Sequence, residues 1–296
     1  MVRSSALFPL LALAAGVPTP PPISAFRGAT PSLNGVVEPA EWADATVFGN
    51  VATWDANFSP VEPASPEDLN ITAFVKHDCR RLYFAFQVTD NLLYAFDTPA
   101  WLPAGNPSAN NLTQSGWPWF GDEIEILLNS NTPNPPHAAG ITGVPGLWQM
   151  VINARKSRLG GIGVGGLLEG EPRSSETAWA NYQDWIYSRA MEAAVAVQPA
   201  GGSGAGGRWS AEVAIDLDPL VEVAPGQHWN CSCQALDVMF NVALGDVDLP
   251  SDGDATFGLR HEMWFSGNRT CAEGGNCHTL PYQFGTLKLV PGAKQE

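Results

Sequence analysis

Positive charge is scarce in this chain. Lys and Arg number 15 against 30 Asp and Glu in 296 residues, a formal net charge of −15. No basic cluster interrupts that balance, and phosphate recognition requires one. Nucleic acid and an anionic membrane surface are therefore excluded as partners. Charge of either sign is sparse, at 15% of residues against 45% apolar, so a sizeable core is affordable and disorder is excluded over most of the length. Long apolar runs are missing as well. Ala6 to Ala15 is too short to cross a bilayer, and no later segment reaches the necessary length. Helix patterns are few: Thr177 to Ser188 holds at most a turn or two, and DPLVEV reads as a short helical turn capped by Asp218. Several catalytic signatures are absent too. HEMWF at His261 lacks the second histidine of a zincin, and no G-x-S-x-G occurs. The tracts GGIGVGG and GGSGAGG have no following Lys-Ser/Thr, which excludes phosphate loops.

What is present begins with a leader. Arg3 supplies a positive start, Ala6 to Ala15 an apolar stretch, and small residues follow. This is the pattern of a secretory signal peptide over residues 1–25, cleaved somewhere between Ala14 and Ala25. Export predicts a secreted, extracellular protein. Five Asn-x-Ser/Thr sequons, at Asn57, Asn70, Asn111, Asn230 and Asn268, become glycan acceptors in a eukaryotic secretory pathway. Export also favours disulfides among Cys79, Cys231, Cys233, Cys271 and Cys277. Cys271 and Cys277 bracket a glycine-containing loop and form the first expected bridge. Cys79 with Cys231 or Cys233 is the second, and one cysteine is left over.

Strand-like runs recur along the chain, separated by Gly, Pro, Asn and Asp clusters. ITAFVKH (71–77) and RLYFAFQVTD (81–90) flank a tight turn at His77 to Arg80. EIEILLN and LWQMVINA (147–154) follow. AMEAAVAV (190–197) and RWSAEVAIDL (208–217) flank a glycine-rich tract that reads as a long hairpin loop. VMFNVALGD (238–246), EMWF (262–265) and QFGTLKLV (283–290) complete the series. Many short strands with Gly/Pro-rich connections predict an all-β, jelly-roll-like antiparallel β-sandwich with long loops. A single domain is expected over residues 26–292, with a tail at 293–296 and the first and last strand-forming segments paired.

The stretch WPWFGDEIEILLN (117–129) concentrates the chemistry. In an extended strand, Ile124, Ile126 and Leu128 point one way, and Trp119, Glu123 and Glu125 the other. The two carboxylates start roughly 6.5–7 Å apart, within the range of glycosidase acid pairs. Jelly-roll glycosidases of the laminarinase type are similar, but carry a third acid where this chain has Leu127. Hydrolysis therefore loses its support, and a non-enzyme is expected. An aromatic plane suits the C–H face of a neutral sugar, and carboxylates suit its hydroxyl rim. Trp117, Trp119, Glu123 and Glu125 are thus candidate ligand contacts, whereas Trp42, Trp54 and Trp209 sit in core-patterned segments. The loop GDVDLPSDGDA sets Asp246, Asp248, Asp252 and Asp254 close together. That is oxygen-rich chemistry suited to calcium, although the spacing is not that of an EF-hand. A solvated acidic loop is the competing reading.

Taken in order, PSLNGVVEPAEWADA, HDCRRLYFAFQVTDN, GDEIEILLN, GRWSAEVAIDLDPL, FNVALGD, Met263-Trp264 and HTLPYQFGTLKL resemble the family 9 carbohydrate-binding module. That family is a non-catalytic β-sandwich appended to xylanases and found alone in secreted proteins. The resemblance spans nearly the whole mature chain. It implies binding of a plant- or algal-type polysaccharide or oligosaccharide, alone or beside an associated glycoside hydrolase. It implies that Trp119 stacks on a sugar ring and that Glu125 accepts hydroxyl hydrogen bonds. His278 stands where binders of this family place a second tryptophan, Ala243 where they place a glutamine, and the region of Met150 where they place an arginine. The same superfamily includes haem-binding cytochrome domains, which would ligate iron through Met150, Met239 or His278. A ligand-lacking extracellular interaction domain is the third class.

Overall fold

The computed structural model describes residues 21–49, 55–56, 65–91, 93, 122–129, 147–154, 161–163, 191–199, 207–217, 222–224, 227–229, 231, 234–247, 260–265 and 285–294. Fifteen strands lie within them. They are β1 (Ile23–Arg27), β2 (Thr46–Phe48), β3 (Asp55–Ala56), β4 (Leu69–His77), β5 (Arg81–Asp90), β6 (Glu123–Asn129), β7 (Leu147–Asn153) and β8 (Gly161–Gly163). There follow β9 (Met191–Pro199), β10 (Gly207–Asp216), β11 (Glu222–Ala224), β12 (Gln227–His228), β13 (Leu236–Val247), β14 (Arg260–Trp264) and β15 (Gly285–Val290). All but β11 and β12 belong to one sheet, ordered β8-β7-β6-β13-β15-β1-β4-β5-β10-β9, with β2, β3 and β14 attached beside it. No described helix is long and apolar enough to cross a membrane.

Period-two alternation builds the core. Leu69, Ile71, Ala73 and Val75 of β4 join Leu82, Phe84, Phe86 and Val88 of β5 and Trp209, Ala211, Val213 and Ile215 of β10 in one buried cluster. The same cluster takes Ile124, Ile126 and Leu128 from β6 and Val238, Phe240, Val242 and Leu244 from β13. The Phe84 and Phe240 rings stack with centroids 5.5 Å apart. In sheet order, however, β15, β1 and β4 separate their strands. Four strand spacings would set them ~19 Å apart in a flat sheet. The sheet must therefore fold over on itself, giving two layers that share a core. This is the expected β-sandwich, with one departure from a purely antiparallel sheet. Strand β1 runs parallel to both of its neighbours, β15 and β4.

The predicted hairpins form. β4 and β5 pair antiparallel from Leu69↔Asp90 to His77↔Leu82, and β9 pairs with β10 from Gly207↔Pro199 to Ile215↔Met191. At the first turn Asp78 Oδ1 accepts the amides of Arg80 and Arg81, each at 2.8 Å. Such a side-chain turn is what aspartate favours. Cys79 beside it takes φ 76° and is disulfide-bonded to Cys231, which settles the choice between Cys231 and Cys233 as its partner. The expected helical turn at DPLVEV gives way at its end to strand, since Glu222 and Val223 open β11. Strand β1 begins inside the segment assigned to the leader, a point taken up below.

The outer face of the β4–β5–β10 layer is covered by residues 28–45. Trp42 is buried there with Tyr83, Ala85 and Ala214. Glu212 on β10 fastens this cover: Oε2 accepts the amides of Asn34 and Gly35, and Oε1 accepts the Trp42 indole N–H, all at 2.9 Å. Burial pushes the Glu212 carboxyl up, against the opposing pull of these hydrogen bonds. The fully buried Lys76 ammonium meets Asp44 at 2.8 Å and lies 5.1 Å from the Trp42 ring centroid. A buried lysine paired to a carboxylate and an aromatic face is the arrangement that offsets its desolvation.

Candidate functional site

The face of β6 opposite the core is set by its ladders. Antiparallel pairing with β13 puts Glu123 opposite Gly245, Glu125 opposite Ala243, and Leu127 opposite Asn241. On the other side, β7 places Val151 opposite Glu125 and Met150 opposite Ile126. Strand β14 continues the row beyond β13, with Trp264 in register with Ala243 and Glu262 with Gly245. The expected alternation of β6 is therefore correct, and Glu125 and Ala243, singled out separately in the sequence, are direct cross-strand neighbours. The position that registers with Glu125 on β7 is Val151, not Met150.

This second face of β6 is covered, not solvated. Glu123 and Glu125 are 0% and 2% exposed. Leu127 and Ala243 share the face and are equally buried, and an apolar centre of this kind favours a covered face over a hydrated one. A carboxylate in such surroundings needs hydrogen-bonding partners, because transfer from water otherwise costs several kcal/mol, on the order of a lost buried polar group. The small residues Ala243 and Gly245 stand beside the two glutamates.

Trp117, Trp119 and His278 lie outside the described residues, as do Cys271, Cys277, Asn57, Asn111, Asn230, Asn268, Asp248, Asp252 and Asp254. Asn70 is half-buried within β4, opposite Thr89. The methionines proposed for iron are not brought together. Met150 registers with Ile126 and through it with Val242, while Met239 falls on the alternate register with Asn129.

One grouping was not seen in the sequence. Asp90, Asp122 and Asp246 are all buried, and one carboxylate oxygen of each lies within 4.8 Å of the others. Asp246 was an expected calcium ligand, but in the company of Asp248, Asp252 and Asp254. Here it meets residues from the end of β5 and the approach to β6. Oxygen donors of this kind suit a hard cation such as calcium or magnesium. A sequence signal did exist: each aspartate ends an inward-facing apolar series, after Leu82 to Val88, before Ile124 to Leu128, and after Phe240 to Leu244. An acid at a core-parity position closes the end of the core in three separate strands.

No protein-family model matches the chain, and no curated protein matches it. Among solved structures it is similar to a family 9 carbohydrate-binding module from Caldicellulosiruptor kristjanssonii in complex with cellotriose. Identity is 15%, covering 92% of this chain and 95% of that one, with a TM-score of 0.49. The glucose complex of a module from the same organism matches at 14% identity over 93% and 97% of the two chains, also with a TM-score of 0.49.

Proposed function

We propose that the protein is exported and binds a neutral plant- or algal-type polysaccharide or oligosaccharide without cleaving it, at the outer face of β6 and β13. The observation that carries this reading is the pairing of Glu125 with Ala243 and of Glu123 with Gly245. Two carboxylates sit on a face that is not the shared core, each in register with a small residue of β13. Trp119 lies six positions before Glu125 in the chain and supplies the ring that stacks on the sugar. Glu125 accepts the hydroxyl hydrogen bonds, with Glu123 and Trp117 flanking it and His278 closing the far side. Binding then combines an apolar contact with directed acceptors, which is what a neutral sugar requires. An associated glycoside hydrolase would supply any cleavage.

Glycan-array screening of the purified protein, followed by calorimetric titration of the best ligand, tests this directly. Trp119→Ala abolishes binding while leaving the near-ultraviolet spectrum and melting temperature in place. Glu125→Gln weakens it about 10- to 100-fold, the value of a hydrogen bond to a charged acceptor. Unchanged affinity in both variants would sink the assignment.

A further inference from the structure

We infer that the leader is removed on the N-terminal side of Ile23, so that all of β1 remains on the mature protein. This rests on the export reading above. Two small-residue sites compete in the sequence. Ala12-Leu13-Ala14 stands at the end of the apolar run, and Ile23-Ser24-Ala25 stands eleven residues later. The first fits the small-x-small pattern of a leader cleavage site, whereas the second ends on the small pair Ser24-Ala25 behind the bulky Ile23. Hydrolysis after the second would make Phe26 the first residue of the mature chain.

The sheet distinguishes them. Strand β1 is the strand that joins the two halves of the sheet, lying between β15 and β4. Its ladder to β15 runs Ile23↔Leu287, Ser24↔Lys288, Ala25↔Leu289 and Phe26↔Val290. Its ladder to β4 holds only Phe26↔Lys76 and Arg27↔His77. Cleavage after Ala25 would remove three of the four pairs to β15 and leave the edge of that strand open. Ile23 and Ala25 belong to the core cluster with Leu287 and Leu289, so their loss would also open the core along β15. Thr46 donates its hydroxyl to the Ser24 carbonyl, which ties β2 to the same three residues.

Cleavage after Ala14 or Ala15 removes none of this. It is an ordinary peptide hydrolysis: water adds across the bond, the leader keeps the new carboxylate and the mature chain the new amine. The segment Gly16 to Pro22, with its four prolines, then precedes the first strand.

The test is the N-terminus of the natural product. The full chain is expressed with its own leader in a eukaryotic secretion host, and the secreted protein is deglycosylated and its first residues determined by mass spectrometry. The expected start is Ala15 or Gly16, and any start up to Ile23 supports the inference. A start at Ser24 or later overturns it while leaving export intact. Failure to reach the medium, or retention of Met1, overturns the export reading and this inference with it. As a second measurement, two chains starting at Ala15 and at Phe26 are secreted behind the same foreign leader. The shorter is lost from the medium or melts at least ~5 °C lower, a shift corresponding to the loss of a few core contacts. Equal yield and equal melting would overturn the inference.

Discussion

The two layers of the sandwich each turn a second face away from the shared core, and each of those faces buries a glutamate. On β10 it is Glu212, and on β6 it is Glu125. Their surroundings differ in kind. Glu212 is enclosed by a continuous stretch of chain, residues 28–45, whose amides and indole fill both of its oxygens. On the same face Trp42, Tyr83, Ala85 and Ala214 are buried in one cluster, with Phe74 packed against it. Glu125 instead stands beside Ala243, and Glu123 beside Gly245. The comparison teaches that burial of a carboxylate does not by itself mark a site. Small cross-strand neighbours do not mark one either, since Glu212 stands between Ala85 and Ala194; the β10 face is closed by residues 28–45, which fill both oxygens of its glutamate.

This contrast can be broken by substitution. The largest effect belongs to Glu212→Ala, which leaves two amides and an indole N–H without their charged acceptor. A loss of about 3–4 kcal/mol is expected in urea denaturation, since each buried donor so stranded costs on the order of 1–3 kcal/mol and the terms overlap. Glu125→Gln, by contrast, should change stability by less than about 1 kcal/mol, because it keeps shape and an acceptor oxygen. If Glu125→Gln were as damaging as Glu212→Ala, the two faces would be equivalent and the site would be misplaced.

A smaller effect comes from the cover itself. Gly35 holds φ +87°, and a Cβ there would stand 2.5 Å from the Val195 carbonyl carbon and 2.7 Å from the Ala196 nitrogen. Gly35→Ala must lift the cover from β9, at a cost of about 1–3 kcal/mol in the same assay. Carbohydrate affinity should be unchanged in that variant, because the lifted segment is on the other layer.

The smallest effect is a pH dependence. Burial alone would raise the Asp78 carboxyl, but hydrogen bonds from Tyr83, Thr30 and the amides of Arg81 and Arg80 hold it at about 2, against 3.8 ordinarily. The same burial and the bond to Asp78 push the Tyr83 hydroxyl to about 12. Between those two carboxyl values the unfolded chain binds the extra proton, so Asp78 contributes stability above 3.8 that is lost as pH falls toward about 2. Glu212 runs the opposite way. Its folded carboxyl takes up a proton at higher pH than the unfolded one, so its contribution improves as pH falls toward the ordinary value of 4.5, above the Asp78 window. Asp78→Asn should therefore flatten the acid limb of a pH–stability curve, an effect of a fraction of a kcal/mol once solvent screening at this half-buried turn is allowed for. An unchanged limb would remove Asp78 from the network that ties Thr30 and the cover to the hairpin.

Much of the fold was legible before any coordinates. The runs at 71–77, 81–90, 147–154, 208–217 and 238–246 all became strands within a few residues of their expected bounds. The inward series of β6 was read correctly, because alternation is a local property of an extended backbone. Less legible were the short strands. β1 was hidden in the segment read as leader, where Pro20 to Pro22 and the small residues suggest processing more than pairing. β2, β3 and β8 are too short to show a period at all. The site was half legible. Glu123 and Glu125 were found by their alternation, but their burial was not, since a strand's own sequence does not say what lies over its second face.

By itself, the sequence determined that this chain is built of strands, which residues of β6 face the core, and which side chains share the second face of that strand. All three follow from residue type and a repeat of two along the backbone. The tertiary structure alone decided which strands are neighbours and hence which distant residues meet. It set Ala243 beside Glu125, chose Cys231 over Cys233 for Cys79, and made β1 the strand joining the two halves of the sheet. It also gathered Asp90, Asp122 and Asp246 at one end of the core. The physical reason is the same in each case. These contacts join residues far apart in the chain, and only the order and register of strands in the folded sheet fix them.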